Sequence, residues 1–220
     1  MAKNRIFTAI LSIFVIIGML TFSIGLPIYF RPFYYGQIEP LEIPERTGYD
    51  KQTIIEAYNE VLDFLTVPGN EFGTGVFPYS ESGKQHFEDC KVLFDLNGSM
   101  LLISIAVITV LMLMKRKKVF SLSRPFGRHY LLTCGASTLS LFALIGLLAS
   151  LDFDRAFTVF HMIFFPGKDN WIFDARVDGI ILAMPQEFFM NCAILIAASI
   201  ILISIVCILF GFFERKPKAV

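Results

Sequence analysis

Four long apolar runs, at roughly 6–29, 98–114, 130–151 and 189–213, constrain this chain more than any other feature. A helix needs about 20 apolar residues to cross a hydrocarbon core. The second run, about 17 residues long, can borrow a turn from 92–96 upstream. None of the four carries Asp, Glu, Lys, Arg or His in its interior. Lipid offers backbone amides no hydrogen-bond partner, so such runs become helices. Apolar residues make up 55% of the chain and charged residues 17%, whereas soluble domains carry about a quarter charged. The expected fold is an all-α integral membrane protein with four transmembrane helices. Ionisable groups inside spans mark ion and proton pathways, so a channel or pump loses its main support.

Charge sets the expected orientation. The N-terminus, the loop 115–128 and the C-terminal tail hold eleven basic residues against one acid, Glu214. The loops 30–97 and 152–188 hold the other eight basic and eighteen acidic residues. The positive-inside rule then places both termini in the cytoplasm and the two long loops outside. Residues 1–220 read as one membrane domain with a small extracellular cap of short helices and extended segments, built from 30–97 and 152–188. The first run has the basic n-region of a signal peptide (Lys3, Arg5) but exceeds the apolar length of a cleaved one, so it is expected to stay as an anchor. With 19 basic and 19 acidic residues the net charge is zero, and nothing favours a nucleic-acid partner. Three of the four cysteines lie in apolar runs, which leaves Cys90 without an evident disulfide partner.

The loops carry the chemistry. The stretch from Pro40 to Pro44 reads as extended chain. A helix follows, with capping-box spacing at Thr53 and Glu56 and an apolar stripe of Ile54, Tyr58, Val61, Leu62 and Leu65. A second helix is predicted from about Ser82, carrying His86, Asp89 and Cys90 on one side, and it can run on into the second span. In the other loop Asp152 or Asp154 caps a helix on which Phe157, Phe160, His161, Phe164 and Phe165 share a face until Pro166–Gly167. Such a helix suits a membrane interface. Trp171 extends the aromatic belt.

Only three histidines are present. His129 reads as an interfacial residue without a catalytic role. His86 and His161 both fall near the outer interface, where a pKa near 6.5 suits proton transfer at neutral pH. Their spacing, even with Asp89, matches no compact metal motif, and no nucleotide or cofactor motif is present. The Lys117, Arg124, Pro125 spacing resembles the opening of a phosphatidic acid phosphatase signature, but the S-G-H and S-R-x5-H parts are missing.

The segments Phe77-Pro-Tyr-Ser…His86-x-x-Asp89 and Phe157-Thr-Val-Phe-His161-Met-Ile-Phe-Phe165, with Trp171, Asp178, Met184-Pro185 and Phe188-Phe189 after them, resemble the bacterial lipoprotein intramolecular transacylase family. The resemblance implies a reaction. The substrate is a diacylglyceryl-modified lipoprotein, met among membrane lipids. Its sn-2 acyl chain moves from glycerol to the α-amine of its N-terminal cysteine, giving the lyso form. No cofactor is implied. By motif the resemblance assigns catalysis to His86 and His161. Phe157, Phe160, Phe164, Phe165, Trp171 and Asp89 are the candidates for a lipid pocket around them. Two other readings fit the residues alone: a non-enzymatic four-span scaffold or receptor-like protein, and a lipid-ester hydrolase using the same histidine pair.

Overall fold

The computed structural model describes residues 2–214, and all its regular elements are helical. Among the described residues four helices are long and apolar enough to cross a membrane: α1 (Ala2–Tyr29), α5 (Glu81–Arg116), α6 (Tyr130–Leu151) and α9 (Gln186–Phe213). Between them lie α2 (Pro32–Tyr35), α3 (Ile43–Thr47), α4 (Lys51–Thr66), α7 (Phe153–Phe164) and α8 (Ile180–Ala183), with a single 3-10 turn at Pro125–Gly127. At 36 residues α5 is about 54 Å long, well beyond a hydrocarbon core of about 30 Å. Its first part, 81–97, carries Glu81, Lys84, His86, Glu88, Asp89, Lys91 and Asp95. These residues lie outside the apolar span.

The described residues form two compact units. The first comprises 2–24, 98–148 and 196–214. Leu11, Leu111, Phe120, Tyr130 and Cys134 form its buried cluster, and Phe7 stacks on Phe120 at 4.8 Å. Between spans, lipid is as apolar as leucine, so close packing and polar bridges hold helices together. Both occur here. A Cβ on Gly135 would meet the Ser204 carbonyl oxygen at 2.6 Å, and one on Gly211 would meet the Leu132 nitrogen at 2.6 Å, so α6 and α9 touch backbone to backbone. The Ser23 and Ser199 hydroxyls bridge α1 and α9 at 3.0 Å. The connection after α5 folds onto α1, where the Thr8 hydroxyl accepts from the Ser123 amide at 2.9 Å. His129 is buried against Glu214 in this unit.

The second unit comprises 25–97 and 149–195. Its core is the apolar face of α4: Ile54, Tyr58, Val61, Leu62 and Leu65 are all buried. Tyr58 stacks on Tyr34 at 3.7 Å, Phe188 meets Tyr34 edge-on at 5.1 Å, and the Tyr34 hydroxyl donates to the Ala183 carbonyl. Polar groups fix the rim. Arg31 donates to Asn59 and Asp63, Arg46 pairs with Glu187, and Lys91 donates to the Phe64 carbonyl while lying over its ring.

Two local expectations are corrected here. The stretch expected to be extended holds turns and α3 instead, and α2 lies just upstream. Pro32 and Pro44 each occupy the first turn of a short helix, where the fixed φ fits and no N–H is needed. The N-cap of α4 is Asp50, not Thr53. Its carboxylate accepts from the Thr53 amide at 3.0 Å, which puts Thr53 at the third helical position.

Candidate active site

The second unit assembles both predicted histidines from elements far apart in sequence. Ser80 opens α5. Its hydroxyl accepts from the Gly83 amide at 2.9 Å and donates to Asp178, whose carboxylate also accepts the Ser80 amide at 2.8 Å. Gly179 donates back to the Pro78 carbonyl at 3.0 Å. This clasp brings 173–179 so close that a Cβ on Gly83 would meet Asp178 Oδ1 at 2.3 Å and Phe173 Cε1 at 3.0 Å. Glycine is the residue that admits it. His86 follows three residues later and is packed edge-on against Phe173 at 5.5 Å and Phe165 at 4.9 Å.

His161 arrives on α7, which Asp152 caps by accepting from the Arg155 amide. Residues four apart on a helix share a face, and Phe157, His161 and the C-cap Phe165 fall in that series. His161 and Phe165 are buried. Phe157 lies 4.3 Å from the His161 ring, and Trp171 stacks on it at 4.5 Å. The two imidazole rings are 5.8 Å apart, centre to centre, and each is 6% exposed. Phe160 touches the edge of His161 at 5.4 Å, while Phe164 packs on Phe160 at 4.7 Å. Both are about half exposed, at 47% and 49%. The predicted aromatic stripe is therefore divided: Phe157 and Phe165 lie against the histidines, Phe164 is turned outward, and Phe160 borders both.

Burial governs the electrostatics, because a charged imidazole loses its hydration there. It pushes His86 down to about 4, with the nearby His161 adding to the shift. It also lowers His161, against which a contact with the Phe157 carbonyl works. That carbonyl accepts only, so His161 Nδ1 donates to it at 2.7 Å and Nε2 is left as the acceptor nitrogen. Both rings are neutral at pH 7. Cys90 Sγ lies 3.4 Å from His86 Nε2, and burial pushes its thiol up to about 12, which makes it an unreactive neutral thiol.

Asp89 makes its hydrogen bonds away from the histidine ring. It accepts from Lys168 at 2.5 Å and from the Asn170 amide at 3.0 Å. Burial raises its carboxyl, but these donors win and hold it below the usual carboxylate range. Lys168 and Asn170 escaped the sequence reading, while Phe173 and Asp178 entered it as motif residues without an assigned role. For Lys168 and Asn170 the sequence cue was the turn signal Pro166–Gly167, which announces a loop just before Trp171. Among the described residues no three of His, Cys, Asp and Glu gather where they could hold a metal ion.

The family model for the lipoprotein intramolecular transacylase Lit matches residues 9–189. The chain belongs to this family. It is an acyltransferase that carries out intramolecular acyl transfer. Among solved structures, the membrane-integral lipoprotein intramolecular transacylase Lit of Bacillus cereus is 24% identical. That match covers 96% of this chain and 95% of the other, with a TM-score of 0.86. Two variants of the Bacillus cereus protein, with one histidine replaced by arginine or by alanine, match at 23% identity over 96% of this chain. They cover 92% and 93% of their own lengths, with TM-scores of 0.78 and 0.79. At these identities the likeness shows the fold. No curated protein sequence matches the chain.

Proposed function

We propose that the chain moves the sn-2 acyl group of a diacylglyceryl lipoprotein to the α-amine of its N-terminal cysteine, using His161 and His86 at the outer face of the membrane. The observation that carries this is the pair of neutral imidazoles boxed by Phe157, Phe165, Trp171 and Phe173. The charge bias of the loops supports the outward placement of the site.

The reaction needs no outside donor. The amine nitrogen attacks the sn-2 ester carbonyl, forming a C–N bond. The C–O bond to glycerol then breaks, leaving an amide and a free glycerol hydroxyl. One proton leaves nitrogen and one arrives at oxygen. His161 suits this relay, because its Nδ1 is already tied to the Phe157 carbonyl and Nε2 is the acceptor. Nε2 takes the amine proton, and the resulting imidazolium N–H delivers it to the departing oxygen. His86, at about 4, is too weak a base for that task at neutral pH and stays neutral, accepting a hydrogen bond that orients the amine. The apolar walls lower the pKa of a bound amine from its ordinary value near 8, which keeps it nucleophilic. They also hold amine and ester together and exclude water, which favours transfer over hydrolysis.

The test uses a diacylglyceryl-cysteine peptide with different chains at sn-1 and sn-2. Incubation with the purified protein should leave the total mass unchanged and place the sn-2 chain on nitrogen. Loss of that chain as free fatty acid would establish a hydrolase instead.

A further inference from the structure

Two buried atoms near His86 lack hydrogen-bond partners: its own Nδ1 and Oδ1 of Asn170. Asn170 comes close enough to the ring to work against the lowering of its pKa by burial. No hydrogen bond joins the two atoms. The orientation of Asn170 is not free. A carboxylate accepts only, so the amide nitrogen must face Asp89, to which it donates at 3.0 Å. Oδ1 is thereby turned the other way, and it too can only accept. Asp89 is itself held from the far side by Lys168 at 2.5 Å. The loop is pinned at its next residue, where Trp171 donates to the Lys168 carbonyl at 3.1 Å and stacks on His161.

We infer that Asn170, oriented by Asp89, is a positioning residue that holds His86 in the Nδ1–H form and so fixes Nε2 as its acceptor nitrogen. Pairing the two would satisfy both orphaned atoms, which buried polar groups strongly favour. The inference deepens the proposed reaction, because His86 can accept a hydrogen bond from the substrate amine only through an unprotonated Nε2, where the amine would displace the weak Cys90 thiol contact at 3.4 Å. It also gives Asp89 a role, through the Asn170 amide from which it accepts. The groups around the ring are His161, Asp89, Asn170, Lys168 and Cys90.

The chain has three histidines, so nitrogen-15 spectra of the histidine-labelled full chain in detergent are assigned by single replacements. At pH 7.5 His86 should carry its proton on Nδ1. Asn170→Ala should move the proton to Nε2, the tautomer free imidazole favours. The same variant should lower the single-turnover rate about tenfold with KM little changed, as expected for one lost hydrogen bond. Asp89→Asn, whose carbonyl still accepts from Asn170, should retain the Nδ1–H form. A wild-type His86 protonated on Nε2 would overturn the inference whether or not any variant folds. So would an Nδ1–H form that persists in Asn170→Ala. A wild-type protein that shows the Nδ1–H form but transfers no acyl chain would leave the positioning intact and sink the proposed reaction.

Discussion

His86 is a buried base whose folded pKa, about 4, lies below its ordinary 6.5. Between these values the unfolded chain binds more protons than the folded one. Stability is therefore full above pH 6.5 and falls as the pH drops toward 4. A shift of this size corresponds to at most about 3 kcal/mol. The melting temperature of the wild-type protein should decline over that window, and the decline should be clearly smaller for His86→Gln. Parallel curves would show that His86 is not protected from protonation by the fold. His129 supplies the contrast. It is buried against Glu214 in the other unit, so His129→Ala should keep acyl transfer close to the wild-type rate. Loss of more than about tenfold in that variant would mean that the catalytic assignment among the histidines is wrong.

At the scale of elements, α7 makes the sharpest distinction. Phe157 and Phe165 contact imidazoles, whereas Phe164 contacts Phe160 on the outward side. Phe157→Leu and Phe165→Leu keep much apolar area but loosen the walls around the reacting groups. They should lower single-turnover rates several-fold, while Phe164→Leu stays within about twofold. Equal rates in all three, with only the melting temperature lowered, would reduce the aromatic face to packing. The start of α5 gives a second test. Gly83→Ala drives a Cβ into Asp178 and Phe173, so it should destabilise the protein by about 1–3 kcal/mol, a typical overpacking penalty. A variant as stable as wild type in thermal unfolding would mean the clasp has slack.

The elements were unequally legible. The four spans and the stripe of α4 follow from hydrophobic periodicity, which sequence states directly. The split of the α7 phenylalanines did not show, because a phenylalanine packed on protein and one turned outward are the same residue in the sequence. The stretch at Pro40–Pro44 misled for a different reason. Proline forbids a helix interior but suits a first turn, and only tertiary packing selects between extended chain and a short helix. Asn170 was invisible because a polar pairing with Asp89 across 81 positions leaves no periodic trace.

For the molecule as a whole, the eleven-to-one charge bias predicts that the loop containing Ser121 faces the cytoplasm. Ser121 is exposed, so in intact cells a cysteine introduced by Ser121→Cys should resist an impermeant thiol reagent and react once the membrane is opened. Labelling in intact cells would reverse the topology and put the histidine pair on the wrong side for a secreted substrate. The central claim, transfer within one lipoprotein by that pair, is tested most directly by mass spectrometry of a lipoprotein's N-terminal peptide from cells expressing the wild-type chain, His86→Ala or His161→Ala. The wild type should give an N-acylated cysteine with one chain left on glycerol and the total number of chains unchanged. Each variant should leave most of the peptide with two chains on glycerol and a free amine, since the His161 relay is worth about 10²–10⁴-fold and His86 orients the attacking amine. Full conversion in either variant, or a wild-type peptide that has lost a chain altogether, would contradict the account.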